Sequence, residues 1–170
     1  MTRHPINPNL TIHNEDNYLG FPIQVDKGPF ILEYLQGLHV TMTRAIGQYS
    51  RVFAFRFDLH FPSSMSLYNV ANDNAVIDRF IESFKAKIRH DRYMASRVNK
   101  SAHDTVVRYV WTREAGGRLG RPHYHFAIFL NYDAYCAIGT FELGRENMFN
   151  RILEAWAGSL GLQAQDALGD

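Results

Sequence analysis

Residues 105–130 hold the feature that most limits what this chain can fold into. Thr105-Val106-Val107-Arg108-Tyr109-Val110-Trp111-Thr112 is dense in β-branched and aromatic residues, the composition of a strand. Pro122 to Leu130 reads as a second strand, and Gly116-Gly117 and Gly120 between them make a flexible hairpin loop. Two strands joined in this way pair antiparallel. Side chains alternate faces along a strand, so His123 and His125 emerge on one side while Tyr124 points to the other. Two imidazoles about 7 Å apart along one face can converge on a single metal ion.

Helical periods flank this hairpin. Gly28-Pro29 opens a helix, with proline at the first position, where its missing N–H costs little. Ile31, Leu35, Leu38, Met42 and Ile46 form its apolar stripe, and Gly47 ends it. From Arg51 to Phe61 the period changes to two, with Phe53, Phe55, Phe57, Leu59 and Phe61 alternating with Arg56, Asp58 and His60 until Pro62 stops the strand. Residues 63–71 form a loop. Asn72, Asp73 and Asn74 offer caps for a second helix whose apolar face is Val76, Ile77, Phe80, Ile81, Phe84 and Ile88. Residues 91–103 read as a polar connection, and Arg145 to Leu160 as a last helix. The order after the first helix is β-α-β-β-α, most of a split βαβ unit. The expected class is α+β: a ferredoxin-like antiparallel sheet with helices on one face, an N-terminal extra helix, and an irregular arm over residues 1–28 ahead of a single domain over 29–170.

Composition narrows the function classes. Apolar residues make up 46% and charged ones 21% of 170 residues, an ordinary globular balance. The single cysteine, Cys136, permits no internal disulfide and favours a reducing compartment. No apolar run is long enough to span a bilayer and the polar N-terminus is not a signal peptide, so a cytoplasmic protein without membrane contact is expected. Net charge is only +1, but residues 79–121 carry 11 Lys/Arg against four acids, which leaves the remainder acidic. A chain polarised in this way can turn one positive face toward phosphates.

Glu114 supplies the third element of the chemistry. At the end of the first hairpin strand it can come opposite the histidines and complete a His/His/Glu set for Mn²⁺ or Mg²⁺, with Zn²⁺ also admissible. Such a metal polarises a phosphodiester as a Lewis acid. Arg113, Arg118 and Arg121 flank it and suit bidentate contacts to DNA phosphates. Asp58 could orient a histidine or hold a second metal, but reads first as a partner of Arg56. Tyr124, Trp111 and Trp156 read as packing residues, and Cys136 has no neighbours that would activate a thiolate.

The run Trp111-Thr112-Arg113-Glu114 … Arg121-Pro122-His123-Tyr124-His125-Phe126-Ala127-Ile128-Phe129-Leu130-Asn131 resembles the HUH endonucleases (histidine, bulky hydrophobic, histidine). It is most similar to the inovirus replication-initiator type, grouped with the YagK/YfjJ-like C-terminal domain of phage and prophage proteins. Arg56-Phe57-Asp58-Leu59-His60-Phe61-Pro62 resembles that group's Arg-x-Asp-Leu-x-x-Pro strand, and the preceding helix also fits. The resemblance spans residues 29–160. It implies metal-dependent nicking and joining of single-stranded or hairpin DNA in rolling-circle replication, with Glu114, His123 and His125 as metal ligands. It also implies a tyrosine nucleophile on a helix after the histidine strand, often with a lysine nearby. Here the sequence departs from the pattern: no tyrosine follows Tyr135 and no lysine follows Lys100. Tyr132 and Tyr135 come directly after the strand and are weak substitutes. The chain is therefore read as an HUH-type domain lacking its catalytic helix. The alternative is a naturally shortened, non-cleaving DNA-binding module or prophage regulator. Metal-dependent hydrolases of small molecules on a (β/α)₈ barrel need a longer chain, and phosphoesterases built on two His-x-Thr or His-x-Ser motifs are set aside.

Overall fold

The computed structural model describes residues 2–66, 74–115 and 121–168, and the chain divides into two compact units, residues 1–48 and 49–170. The loop at 67–73, with the capping residues Asn72 and Asp73, and the hairpin turn at 116–120, with Arg118, lie outside the described residues.

The first unit corrects the expectation of an irregular arm. β1 (Thr2–Arg3), β2 (Thr11–His13) and β5 (Phe30–Ile31) form a small antiparallel sheet, and β3 (Asn17–Tyr18) pairs with β4 (Phe21–Pro22). The helix α1 spans Leu32–Gln48 rather than starting at Pro29, because Phe30 and Ile31 are taken up in pairing with His13 and Ile12. A tertiary ladder has overridden the local preference of proline for a helix start. The amide of Thr11 donates to the Glu33 carboxylate at 2.9 Å and holds that carboxyl below its usual range.

The second unit contains β6 (Val52–His60), α2 (Ala75–Val98), β7 (Arg108–Ala115), β8 (Pro122–Asn131), α3 (Met148–Leu160) and α4 (Ala164–Ala167). Its sheet is antiparallel in the order β6-β8-β7, so the histidine strand is central. The protein is thus a mixed α+β structure with antiparallel sheets. One face of β8 presents Tyr124, Phe126, Ile128 and Leu130, all nearly inaccessible to solvent, to the two long helices. Phe80 of α2 meets Phe126 edge-on at 5.2 Å, and Trp156 of α3 lies 5.3 Å from Phe61 and 6.3 Å from Tyr124. Burying one such aromatic side chain contributes roughly 1.5–3 kcal/mol. Trp111 and Trp156 are packing residues as expected, and the indole N–H of Trp156 donates to the His60 carbonyl at 2.9 Å.

α2 runs well past the expected connection at Asp91, to Val98. Nothing between Asp91 and Val98 breaks a helix, and this turn is anchored by side chains: Asp91 accepts from Arg92, from the Tyr135 hydroxyl and from Arg151 of α3. α3 starts at Met148 rather than Arg145, where the Asn147 side chain caps it by accepting from the Asn150 amide at 3.0 Å. Gly139 opposes that cap at φ +90°, and a Cβ there would fall 2.7 Å from the Asn147 side chain, so only glycine fits. Among the described residues, no helix is long and apolar enough to cross a membrane.

Candidate metal centre

Register decides which residues meet at the start of β8. On the β7 side Glu114 lies opposite His123 and Thr112 opposite His125; on the β6 side His60 lies opposite His123 and Asp58 opposite His125. All six positions fall on the face turned away from α2 and α3. The hairpin geometry expected for Glu114 is therefore the observed one. Strand alternation, which sends Tyr124 into the core, sends both histidines out.

Glu114, His123 and His125 each offer one ligand atom, and these atoms all lie within 4.8 Å of one another. The His125 Nε2 sits 2.9 Å and the His123 Nε2 3.5 Å from Glu114 Oε2, and the two imidazoles meet edge-on at 4.7 Å. Donor atoms at 2.0–2.2 Å from one metal ion stand roughly 3–3.5 Å apart, so small side-chain adjustments would close this set around an ion. The donor chemistry of two imidazoles and one carboxylate fits Mn²⁺, Mg²⁺ or Zn²⁺.

A second layer holds the first. Asp58 Oδ1 lies 2.7 Å from His125 Nδ1, which leaves Nε2 of the same ring facing Glu114. A carboxylate on the far nitrogen fixes the ring orientation and raises its basicity, the usual support for a metal-binding histidine. Arg56 reaches His125 Nδ1 at 3.1 Å and Asp58 at 3.3 Å. The His60 ring stacks on that of His123 at 5.1 Å, nearly parallel. The electrostatics follow from these contacts. The hydrogen bond to Asp58, and then that to Glu114 against partial burial, raise the His125 pKa above the ordinary imidazole value. Burial opposes the charged form of Asp58, but the hydrogen bond from His125 and the charges of His125 and Arg56 outweigh it and hold the carboxyl low. The His125 hydrogen bond does the same for Glu114.

Of the arginines expected at DNA, Arg113 and Arg121 are described and occupy different surroundings. Arg113 lies opposite Tyr124, at a position of the other face of the sheet, and is exposed. Arg121 donates through Nη2 to the carbonyls of Pro62 at 2.7 Å and Met65 at 2.9 Å, tying down the chain that leaves β6. Several basic residues of α2 also have partners: Lys87 pairs with Glu154, Lys85 with Glu82, and Arg79 donates to the Ser159 carbonyl. The tyrosines weighed as nucleophiles sit beyond the opposite end of β8, since the six strand steps from His125 to Asn131 span about 20 Å. The Tyr132 ring carries the guanidinium of Arg51 at 4.5 Å. Tyr135 donates to Asp91 at 2.5 Å, and burial followed by that bond pushes its pKa upward, the reverse of what an activated nucleophile needs.

Asp58 and His60 are the site residues that sequence reasoning undervalued. The available signal was their spacing of two on a strand, matching His123 and His125, but it becomes legible only once β6 is known to pair with β8. His-x-Thr triplets do occur, at His39-Val40-Thr41 and His103-Asp104-Thr105, but the first lies inside α1 and the second in the segment before β7; neither is in a strand.

These features define the class: an α+β domain with a His/His/carboxylate cluster on the open end of an antiparallel sheet. The family model of the YagK/YfjJ C-terminal domain matches residues 14–168, and the chain belongs to that family. It is 30% identical to the uncharacterized protein YagK of Escherichia coli (strain K12) over 149 residues, covering 84% of this chain and 70% of that one. It is likewise 30% identical to the uncharacterized protein YfjJ of the same organism over 145 residues, covering 74% of this chain and 68% of that one. No solved structure matches it significantly.

Proposed function

We propose that this chain is the metal-bearing domain of a phage or prophage replication initiator of the HUH endonuclease type, built on a ferredoxin-like scaffold and acting on single-stranded or hairpin DNA. The observation that carries this reading is the convergence of Glu114, His123 and His125 within 4.8 Å on the open face, with Asp58 bracing His125 from behind. A bound Mn²⁺ or Mg²⁺ would supply Lewis-acid polarisation of the scissile phosphate. The protein's own part is to present Nε2 of both rings and one carboxylate oxygen, to hold the His125 ring through Asp58, and to offer the Arg56 guanidinium, 68% exposed beside the cluster, to a neighbouring phosphate.

A second reading is favoured by the tyrosines. Tyr135 is held as a protonated donor to Asp91, and Tyr132 lies at the same remote end of β8. A domain with the metal half of such a site and, among the described residues, no tyrosine beside it would bind DNA without cutting it. The deciding experiment is a nicking assay on labelled single-stranded DNA with Mn²⁺, run with wild type and His123→Ala/His125→Ala. Metal-dependent cleavage absent from the variant supports the endonuclease. Metal-dependent binding without cleavage supports the module. Neither activity, with no Mn²⁺ bound by calorimetry, overturns both.

A further inference from the structure

A cavity of about 610 Å³ opens along the outer edge of β6, beside the histidine cluster, and its size lies within the roughly 300–1,000 Å³ usual for ligand sites. Its walls are of two kinds. Arg56, Asp58 and His60 form a polar wall, and the same three side chains touch the cluster: Arg56 and Asp58 contact His125, and the His60 ring stacks on His123. Phe57, Leu59, Ile138, Phe141 and Leu168 form an apolar wall. Phe141 meets Phe149 edge-on at 5.0 Å and is 76% exposed, so its ring is supported on one side and open on the other.

The backbone of β6 adds directional groups between these walls. The Arg51 carbonyl accepts from the Tyr132 amide at 3.1 Å, on the β8 side, whereas the His60 carbonyl accepts from the Trp156 indole at 2.9 Å, on the other. Backbone groups alternate sides along a strand, so Arg56 and Asp58 turn their amides and carbonyls to the outer edge, where the cavity lies. Among the described residues nothing pairs with those groups. An extended peptide does not fit there, because Ile138, Phe141 and Leu168 stand where its strand would run. The occupant must be short and flat, apolar on its faces, and must carry donors and acceptors along one edge. It must also be polar where it leaves the cavity toward the cluster.

We propose that the cavity holds one unstacked nucleobase of the DNA strand that the cluster acts on, an inference that rests on the function proposed above. A base has the required form: its edge hydrogen-bonds to the Arg56 carbonyl and the Asp58 amide, and its faces lie against the apolar wall. Neighbouring strands are about 4.8 Å apart, so the sugar of the same nucleotide spans the step from β6 to β8. Its phosphate then lies beside Glu114, His123 and the exposed Arg56 guanidinium. The polar wall faces the charged part of the nucleotide and the apolar wall its base.

Nuclear magnetic resonance on the isotope-labelled full chain tests the base site in metal-free buffer, with dAMP, dCMP, dGMP and dTMP as probes. The amide signals of Arg56, Asp58 and Leu168 should shift with at least one of them, and inorganic phosphate should leave Leu168 unmoved. Phe141→Ala should weaken that binding about fivefold or more, the loss expected of one base stack. Leu168→Trp, which fills the cavity, should weaken it as well. Both side chains are well exposed, and the dispersion of the same spectra shows that each variant is folded. The base site is overturned if no nucleotide shifts the three amides, if phosphate alone reproduces the shifts, or if both variants bind as the wild type does. Each of these results leaves the nicking assay free to succeed. A nucleotide bound here by a chain that neither binds nor cuts single-stranded DNA overturns the endonuclease reading and leaves the base site standing.

Discussion

The two ends of β8 carry similar polar residues and use them differently. At the Pro122 end, His123, His125, Glu114 and Asp58 face one another across the sheet surface, and their polar contacts run among themselves and to the neighbouring Arg56. At the Asn131 end, Tyr135, Asp91, Arg92 and Arg151 also form a compact charged cluster, but each member ties one structural element to another. Asn131 itself donates to the Asp104 carbonyl and receives the Asp133 amide. A cluster acts as a brace when its groups join separate elements. It is available to a ligand when its donor atoms converge on space left open. Residue type alone does not separate the two cases, and that is why Tyr132 and Tyr135 could be weighed as nucleophiles.

The comparison can be broken most directly at the histidines. His123→Ala/His125→Ala should abolish Mn²⁺ binding by calorimetry, a loss of at least 1,000-fold or about 4 kcal/mol. Thermal stability should change by less than about 1 kcal/mol, since both rings lie on the open face. If the variant unfolds, the histidine end is a brace as well. Asp58→Ala should weaken metal binding by about 10- to 100-fold without abolishing it, which is the size of effect expected of a residue that orients a ligand. Tyr135→Phe should do the opposite, costing roughly 1–2 kcal/mol in urea unfolding while Mn²⁺ affinity stays at the wild-type value.

Acid should separate the ends by sign. The His125 pKa is raised in the fold, so in metal-free protein its contribution to stability is fully present below the ordinary imidazole pKa and is lost as pH rises through the raised value. The same protonation competes with the metal, so Mn²⁺ affinity should fall as pH drops below that value. For Asp91, burial pushes the pKa up, but the hydrogen bonds from Tyr135 and Arg92 and the charge of Arg151 outweigh it and hold the carboxyl low. Its contribution is present above the ordinary carboxylate range and is lost as pH falls through the lowered value. Urea titrations of wild type against His125→Gln and Asp91→Asn across pH should therefore converge at opposite ends of the range. Convergence at the same end would remove the distinction.

Much of the histidine end was legible because it is local. A hairpin with glycines at its turn fixes which residues can face one another, so Glu114 opposite His123 followed from spacing on one short stretch of chain. The apolar stripe of α2 and the core role of Tyr124 were equally readable from period. What failed was nonlocal or marginal. The end of α2 was placed too early because the Asp91 turn looks polar in isolation; its partners Tyr135 and Arg151 lie 44 and 60 residues away. The strands of the first unit are two or three residues long, too short for any period to register. The carbonyls of Pro62 and Met65 that Arg121 meets lie 59 and 56 residues away, and no local pattern announces them.

By itself the sequence determined an antiparallel hairpin with two histidines and a glutamate on one face, because alternation and turn composition act over a few residues. Only the tertiary structure decided that β6 would flank the histidine strand and bring Asp58 and His60 to it. That register joins residues more than 60 positions apart and depends on how α2 and α3 fill the core beneath the sheet. It also brought the Trp156 indole to the His60 carbonyl, a contact between residues 96 positions apart that no local pattern encodes.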